Sequence, residues 1–172
     1  LYILTEAINS GFLEKHFGNK DGTLFKANGP ELGKLSLKDL FNGKLKDKTG
    51  LYPYSAAPNL TLHNNFDIKN DIPVDSNYKN FYERKSDDNN SVKDWTNLFD
   101  LIKELNNNPD KIESTLNVDS ILWFFAASTM LPDLDTYNGM VVHNFYLYKN
   151  LSTNLFEIIP YDKDQSFGSG FV

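Results

Sequence analysis

Asp135, Asp162 and Asp164, with a side-chain amide from Asn138 or Asn144, form the set in this sequence with the clearest chemical potential. Carboxylate and amide oxygens are hard donors. Two or three carboxylates and one amide make an all-oxygen site, the kind Mg²⁺ takes with one or two carboxylates and the oxygens of a phosphate. The chain has no cysteine, which excludes thiolate nucleophiles, thiolate zinc sites and disulfides. Its three histidines are scattered and form no zinc signature.

A helix, a loop and a hairpin would bring these residues together. Asn144 to Lys149 reads as one strand and Phe156 to Ile159 as its partner, joined through Asn150 to Asn154. Asp135 lies in the loop before the hairpin and Asp162 follows directly after it, so both belong to the same end. Protein kinases use this order: a catalytic-loop Asp accepts the hydroxyl proton, an Asn helps hold metal, and an Asp after the next hairpin holds Mg²⁺. The spacing is not that of an ordinary kinase. Met140 stands where the metal-holding Asn belongs, and neither His-Arg-Asp nor a Gly-rich phosphate loop occurs.

Upstream, residues 1–8 read as a strand ending at Glu6, followed by a short helix opened by Ser10-Gly11. Thr23 to Ala27 reads as a second strand, paired with the first in hairpin fashion. Residues 28–80 form an irregular insertion or variable loop region, with a brief strand at Leu60 to His63. Phe81 to Lys85 reads as a strand. Ser91 to Asn106 is an amphipathic helix, and Ile112 to Leu116 a short one. Asp119-Ser120 caps a third helix, Ile121 to Leu131, apolar nearly all round and therefore expected to be buried. Trp123, Phe124, Phe125, Phe145 and Tyr146 are assigned to the core.

With 172 residues, 40% hydrophobic and 14% aromatic, the chain can build one real core, and residues 1–172 are taken as a single domain. Net charge is −6, and Arg84 is the only arginine, so there is no basic stripe for nucleic acid. No apolar run is long enough to span a membrane. The opening Leu1 to Leu4 reads as mid-strand, and the sequence is expected to be a fragment of a larger protein. Asn59, Asn89 and Asn150 begin Asn-x-Ser/Thr triplets and are glycan candidates if the protein is secreted.

Each candidate residue also has an ordinary structural reading. Asp162 and Asp164 suit a solvated turn, Asp135 a turn cap, Asn144 a partner for backbone groups, and His143 a hydrogen-bonded structural role. Lys26 and Lys85 each end a strand, as exposed lysines or as phosphate ligands. Glu6 is either a strand-end charge or a group beside a nucleotide.

Several blocks resemble the CotH family, named for a spore-coat protein and found also on fungal and other cell surfaces. They are Leu1-Tyr2-Ile3-Leu4-Thr5-Glu6-Ala7-Ile8, Phe17-Gly18-Asn19-Lys20-Asp21-Gly22-Thr23-Leu24-Phe25-Lys26 and Tyr82-Glu83-Arg84-Lys85. Further on come Val118-Asp119, Asp135-Thr136-Tyr137, His143-Asn144-Phe145-Tyr146-Leu147-Tyr148 and Ile159-Pro160-Tyr161-Asp162-Lys163-Asp164-Gln165-Ser166-Phe167-Gly168. Together they span nearly the whole chain in the family's order. The resemblance implies an α+β, atypical protein-kinase-like fold that binds ATP with divalent metal. The chain is expected to lack the first strands of the small lobe and the end of the large lobe.

By position, the resemblance makes Asp135 the catalytic Asp, and Asp162, with Asn144 or Asp164, the metal-holding set. Lys26, Lys85 and Glu6 are then the candidates for contacting the nucleotide. Tyr161 departs from the Trp the family often has there. The implied activity is ATP- and Mg-dependent phosphotransfer to protein hydroxyls at a cell surface or in secretion. The alternative is a non-catalytic spore-coat or surface interaction module with the same fold.

Overall fold

Thr23–Ala27 (β1) is the strand around which the main sheet is built. It pairs antiparallel with Tyr82–Arg84 (β4) on one side and Phe145–Asn150 (β5) on the other. β5 pairs antiparallel with Leu155–Pro160 (β6), which gives the sheet order β4-β1-β5-β6. Ile68–Lys69 (β2) and Ile72–Pro73 (β3) make a separate two-stranded pair. The helices are Ser10–Phe17 (α1), Ser91–Asn107 (α2) and Val118–Met130 (α3), with a 3₁₀ helix at Pro109–Ser114. The computed structural model describes residues 5–28, 59–60, 62, 68–69, 72–73, 81–86, 91–133, 135–139, 142–164 and 166. The architecture is α+β, helices on an antiparallel sheet.

Alternation along the strands sorts the core into two layers. Phe25, Ala27, Phe145, Leu147, Phe156 and Ile158 face α2 and α3, where Trp95, Leu98, Leu101, Ile102 and Phe124 meet them. Leu24, Tyr146, Tyr148 and Ile159 face Leu13, Phe12 and Phe17 of α1. The only arginine joins the first layer: Arg84 reaches Asp94 of α2 at 2.9 Å, and Thr23 donates to the other oxygen of Asp94 at 2.6 Å. Gly22 lies against β5 so closely that a Cβ there would stand 1.9 Å from the Lys149 carbonyl oxygen.

Several sequence expectations change. Residues 5–8 are irregular rather than strand, and residues 1–4 lie outside the described residues. β1 finds its partners in β4 and β5, not in the N-terminal segment. Leu60 and Leu62 are irregular, and Thr61 and His63 lie outside the described residues, as does most of 28–80. Leu116 forms an isolated parallel bridge with Phe156 instead of continuing a helix.

α3 is not buried on all sides. Phe124 and Ser128 face inward, while Leu122 (58% exposed), Trp123 (78%) and Met130 (82%) face outward. An apolar helix laid on one sheet has one covered face, and composition does not report which. Its cap is Asn117, not Asp119-Ser120: Asn117 Oδ1 accepts from the Ser120 N–H at 3.1 Å, and Nδ2 donates to Glu157 at 2.8 Å.

Candidate functional site

The base of the β5–β6 hairpin carries the candidate site. Asn144 immediately precedes β5, and Asp162 lies two residues beyond β6. Both have left-handed backbones, φ 56° and 50°, a region that Asn and Asp enter more readily than most residues. The Tyr161 N–H donates to the Asn144 carbonyl at 3.1 Å and ties the two strand ends together.

Asn144 is 7% exposed, and its Nδ2 serves two partners: Asp135 Oδ2 at 3.0 Å and the Asp162 carbonyl oxygen at 3.2 Å. One amide therefore spans the segments before and after the hairpin. The other oxygen of Asp135 meets His143 Nδ1 at 2.7 Å. His143 is thus the partner of the candidate base, a role the sequence reading did not give it.

A second link holds the same two segments. Lys163 Nζ lies 2.8 Å from Asp133 Oδ2, donates to Thr136 Oγ1 at 2.8 Å, and reaches the Asn144 carbonyl at 3.4 Å. The Asp133 side chain is 1% exposed, and its Oδ1 accepts from the Asp135 N–H at 3.1 Å. Asp133, Thr136 and Lys163 escaped the sequence reading, because a lysine between two acids and a threonine in a polar loop look like solvated surface. The signal that existed was Asp133 two residues before Asp135, the spacing of an Asx turn.

Asp162 and Asp164 are exposed. Among the described residues no three His, Asp or Glu side chains converge as a ready-made metal cage. The donor set still fits Mg²⁺. Asn144 spends only its NH₂ and keeps Oδ1 as an acceptor, Asp162 offers a solvent-facing carboxylate, and Mg²⁺ on a nucleotide needs few protein ligands because phosphates and waters complete its shell.

Lys26 lies beside this end. Its Nζ is 4.9 Å from the ring centre of Tyr161, the neighbour of Asp162. Tyr161 in turn packs edge-on against Tyr146 at 5.2 Å. Lys85 follows β4 and donates to Glu83 at 2.6 Å. That bond is the main reason the Glu83 carboxyl is held below its ordinary range; burial opposes it, and Asn28 and the charge of Lys26 add to it. Glu6 is occupied elsewhere. It binds His16 and Lys15 of α1 at 3.0 and 2.9 Å, which lowers its carboxyl, and no described contact joins it to Asp135 or Asp162.

Two clefts accompany these groups. One of about 370 Å³ is lined by Trp123, Phe124, Ala127 and Leu131, with Asp133 and Lys163 in its wall. The other, about 690 Å³, lies between α1 and the sheet and is lined by Leu13, Lys20, Gly22, Leu24 and Lys85. It sits toward the Thr23 end of β1, away from Asp162. Of the glycan candidates, Asn150 is 4% exposed with its Oδ1 accepting from Ser152, Asn59 is half-buried, and Asn89 lies outside the described residues.

Fold and site together define an α+β domain in which a hairpin holds two carboxylate-bearing segments around one amide. The profile of the family described as CotH kinase protein matches residues 1–171, and the chain belongs to that family. Comparison with curated proteins returned no match. No helix among the described residues is long and apolar enough to cross a membrane.

Proposed function

We propose that the chain is an ATP- and Mg-dependent phosphotransferase acting on protein hydroxyls, with an atypical protein-kinase-like arrangement. The supporting observation is the Asn144 amide, which ties Asp135 to the Asp162 segment. In this reading Asp135 orients the acceptor hydroxyl and takes its proton as the hydroxyl oxygen bonds to phosphorus and ADP departs. His143 and Asn144 fix the two carboxylate oxygens, so the base is placed before substrate arrives. Asn144 Oδ1 and Asp162, with Asp164, would hold Mg²⁺, which when bound neutralises phosphate charge. Lys26 is the better placed of the two lysines for phosphate, since it lies over Tyr161, while Lys85 is engaged by Glu83. Glu6 pairs with His16 and Lys15 of α1.

The test is phosphate transfer from labelled ATP to a panel of serine- and threonine-containing proteins, with and without Mg²⁺. Transfer by the wild type and its collapse in Asp162→Asn is the expected result. Asp135→Asn should abolish transfer yet keep ATP–Mg binding. A folded wild type with neither binding nor transfer overturns the reading.

The second reading is a non-catalytic surface or spore-coat interaction module. The outward apolar face of α3, with Leu122, Trp123 and Met130, supports it. Either reading fits a protein of the cell surface or a secreted complex.

A further inference from the structure

The geometry points to Lys163 as a positioning residue for Asp135, acting through Asp133, rather than as a ligand for phosphate; this rests on the phosphotransferase reading above. In sequence Lys163 sits between two acids that are candidates for metal and looks like solvated surface. Its ammonium is committed instead. It faces Asp133 Oδ2 and Thr136 Oγ1, both at 2.8 Å, with the Asn144 carbonyl at 3.4 Å and the Phe124 ring centre 5.3 Å away. Asp133 (side chain 1% exposed) and Thr136 (0%) leave no solvent at the far end of this contact.

The consequence passes to Asp135 by one bond. Asp133 uses Oδ2 for Lys163 and Oδ1 for the Asp135 N–H. Burying a carboxylate is costly unless a cation and hydrogen bonds compensate it. Lys163 supplies that cation as a charge contact. Its ammonium, anchored by the hydrogen bond to Thr136, stands at ion-pair distance from Oδ2, which has no hydrogen bond of its own among the described residues, and so holds Asp133 beneath the Asp135 N–H. Lys163 also neighbours Asp162 in sequence, so the same side chain sets the separation between the hydroxyl-orienting group and the metal-side carboxylate. Asn144 links these two segments from its side, and Lys163 links them again through a different set of atoms. Partners of this kind behind a reacting group typically change activity about 10–100-fold when removed.

The test uses the full chain with Lys163→Met, Lys163→Arg and Asp133→Asn, read by amide hydrogen exchange and by transfer kinetics. Lys163→Met and Asp133→Asn should each speed exchange at the Asp135 amide about tenfold or more relative to Leu147 in the core strand, because the acceptor Oδ1 is released or reoriented. Both should lower kcat about 10–100-fold with the ATP–Mg Kd changed less than about twofold, and combining them should add little. Lys163→Arg, which keeps the charge, should restore most of the Asp135 protection. Loss of ATP affinity at unchanged kcat in Lys163→Met would instead make Lys163 a phosphate ligand and overturn the proposal. So would unchanged exchange at Asp135 in a folded Lys163→Met protein. The exchange arm needs no activity: Lys163-dependent protection of Asp135 in a wild type that transfers no phosphate would remove the phosphotransferase reading and leave the clamp standing.

Discussion

Asn144 donates from one amide nitrogen to Asp135 before the hairpin and to the Asp162 segment after it, at 3.0 and 3.2 Å. Its left-handed backbone is what lets a residue at the foot of β5 turn its side chain across the strand ends. The substitution that separates backbone from amide is Asn144→Gly, which keeps φ near 56° accessible and deletes the bridge. Two hydrogen bonds at about 1 kcal/mol each set the scale of its stability loss. Asn144→Ala should cost roughly 1 kcal/mol more, because Ala must hold a left-handed backbone. Urea unfolding of both variants checks the order. Equal losses would show that the backbone strain carries no weight.

Arg84 and Asp94 make a second test of the fold. The Asp94 side chain is 4% exposed and also accepts from Thr23, so Asp94→Ala strips a buried partner from both. Removing one member of such a pair costs about 3–5 kcal/mol. Asp94→Asn keeps an acceptor for Thr23 and should lose less. Denaturant melts that rank Asn below Ala in stability would contradict the arrangement.

How much of this was legible in the sequence depended on how local each signal was. The β5–β6 hairpin was written in alternation and a turn, which brings the foot of β5 beside the end of β6; there the Asn144 amide meets the Asp135 carboxylate and the Asp162 carbonyl. The family match over residues 1–171 agrees with the blocks that suggested it. The partners of β1 were not legible, because pairing across the intervening chain is chosen by tertiary packing. Nor was the outward turn of Trp123, since a helix apolar all round carries no sign of which face meets the sheet. Lys163 was hidden by its acidic neighbours. Only the position of Asp133, folded beneath it, shows where its charge goes.

Glu157 predicts a pH dependence of stability. It is 5% exposed on β6, and burial pushes its carboxyl above the ordinary 4.5, with the hydrogen bond from Asn117 pulling the other way. A group with a raised folded-state value holds its proton more tightly in the folded protein. Its contribution is therefore full below 4.5 and is lost as pH rises through the folded-state value. Glu157→Gln keeps an acceptor for Asn117 and has no charge to bury. It should raise the melting midpoint near neutral pH and reduce the drop between mildly acidic and neutral buffer. A lower midpoint for Glu157→Gln at neutral pH would show that the charged carboxylate stabilises the fold.

The two tryptophans give the last prediction, because they occupy opposite environments. Trp95 is 5% exposed in α2 against Phe25, while Trp123 is 78% exposed on the outer face of α3. Acrylamide should therefore quench one component of the fluorescence readily and the other poorly, and Trp123→Ser should delete the readily quenched one. Because Trp123 packs against little, its loss should change stability by no more than about 0.5 kcal/mol, the range of ordinary surface substitutions. Trp95→Ala should cost about 3–5 kcal/mol, as large aromatics removed from a core do. If Trp123 resists quenching and Trp123→Ser destabilises on the scale of a core truncation, the apolar face of α3 is covered in solution. Light scattering would then show whether a second copy covers it. A fall in the apparent mass of Trp123→Ser relative to wild type would turn the exposed Leu122, Trp123 and Met130 into contact residues and favour the interaction-module reading.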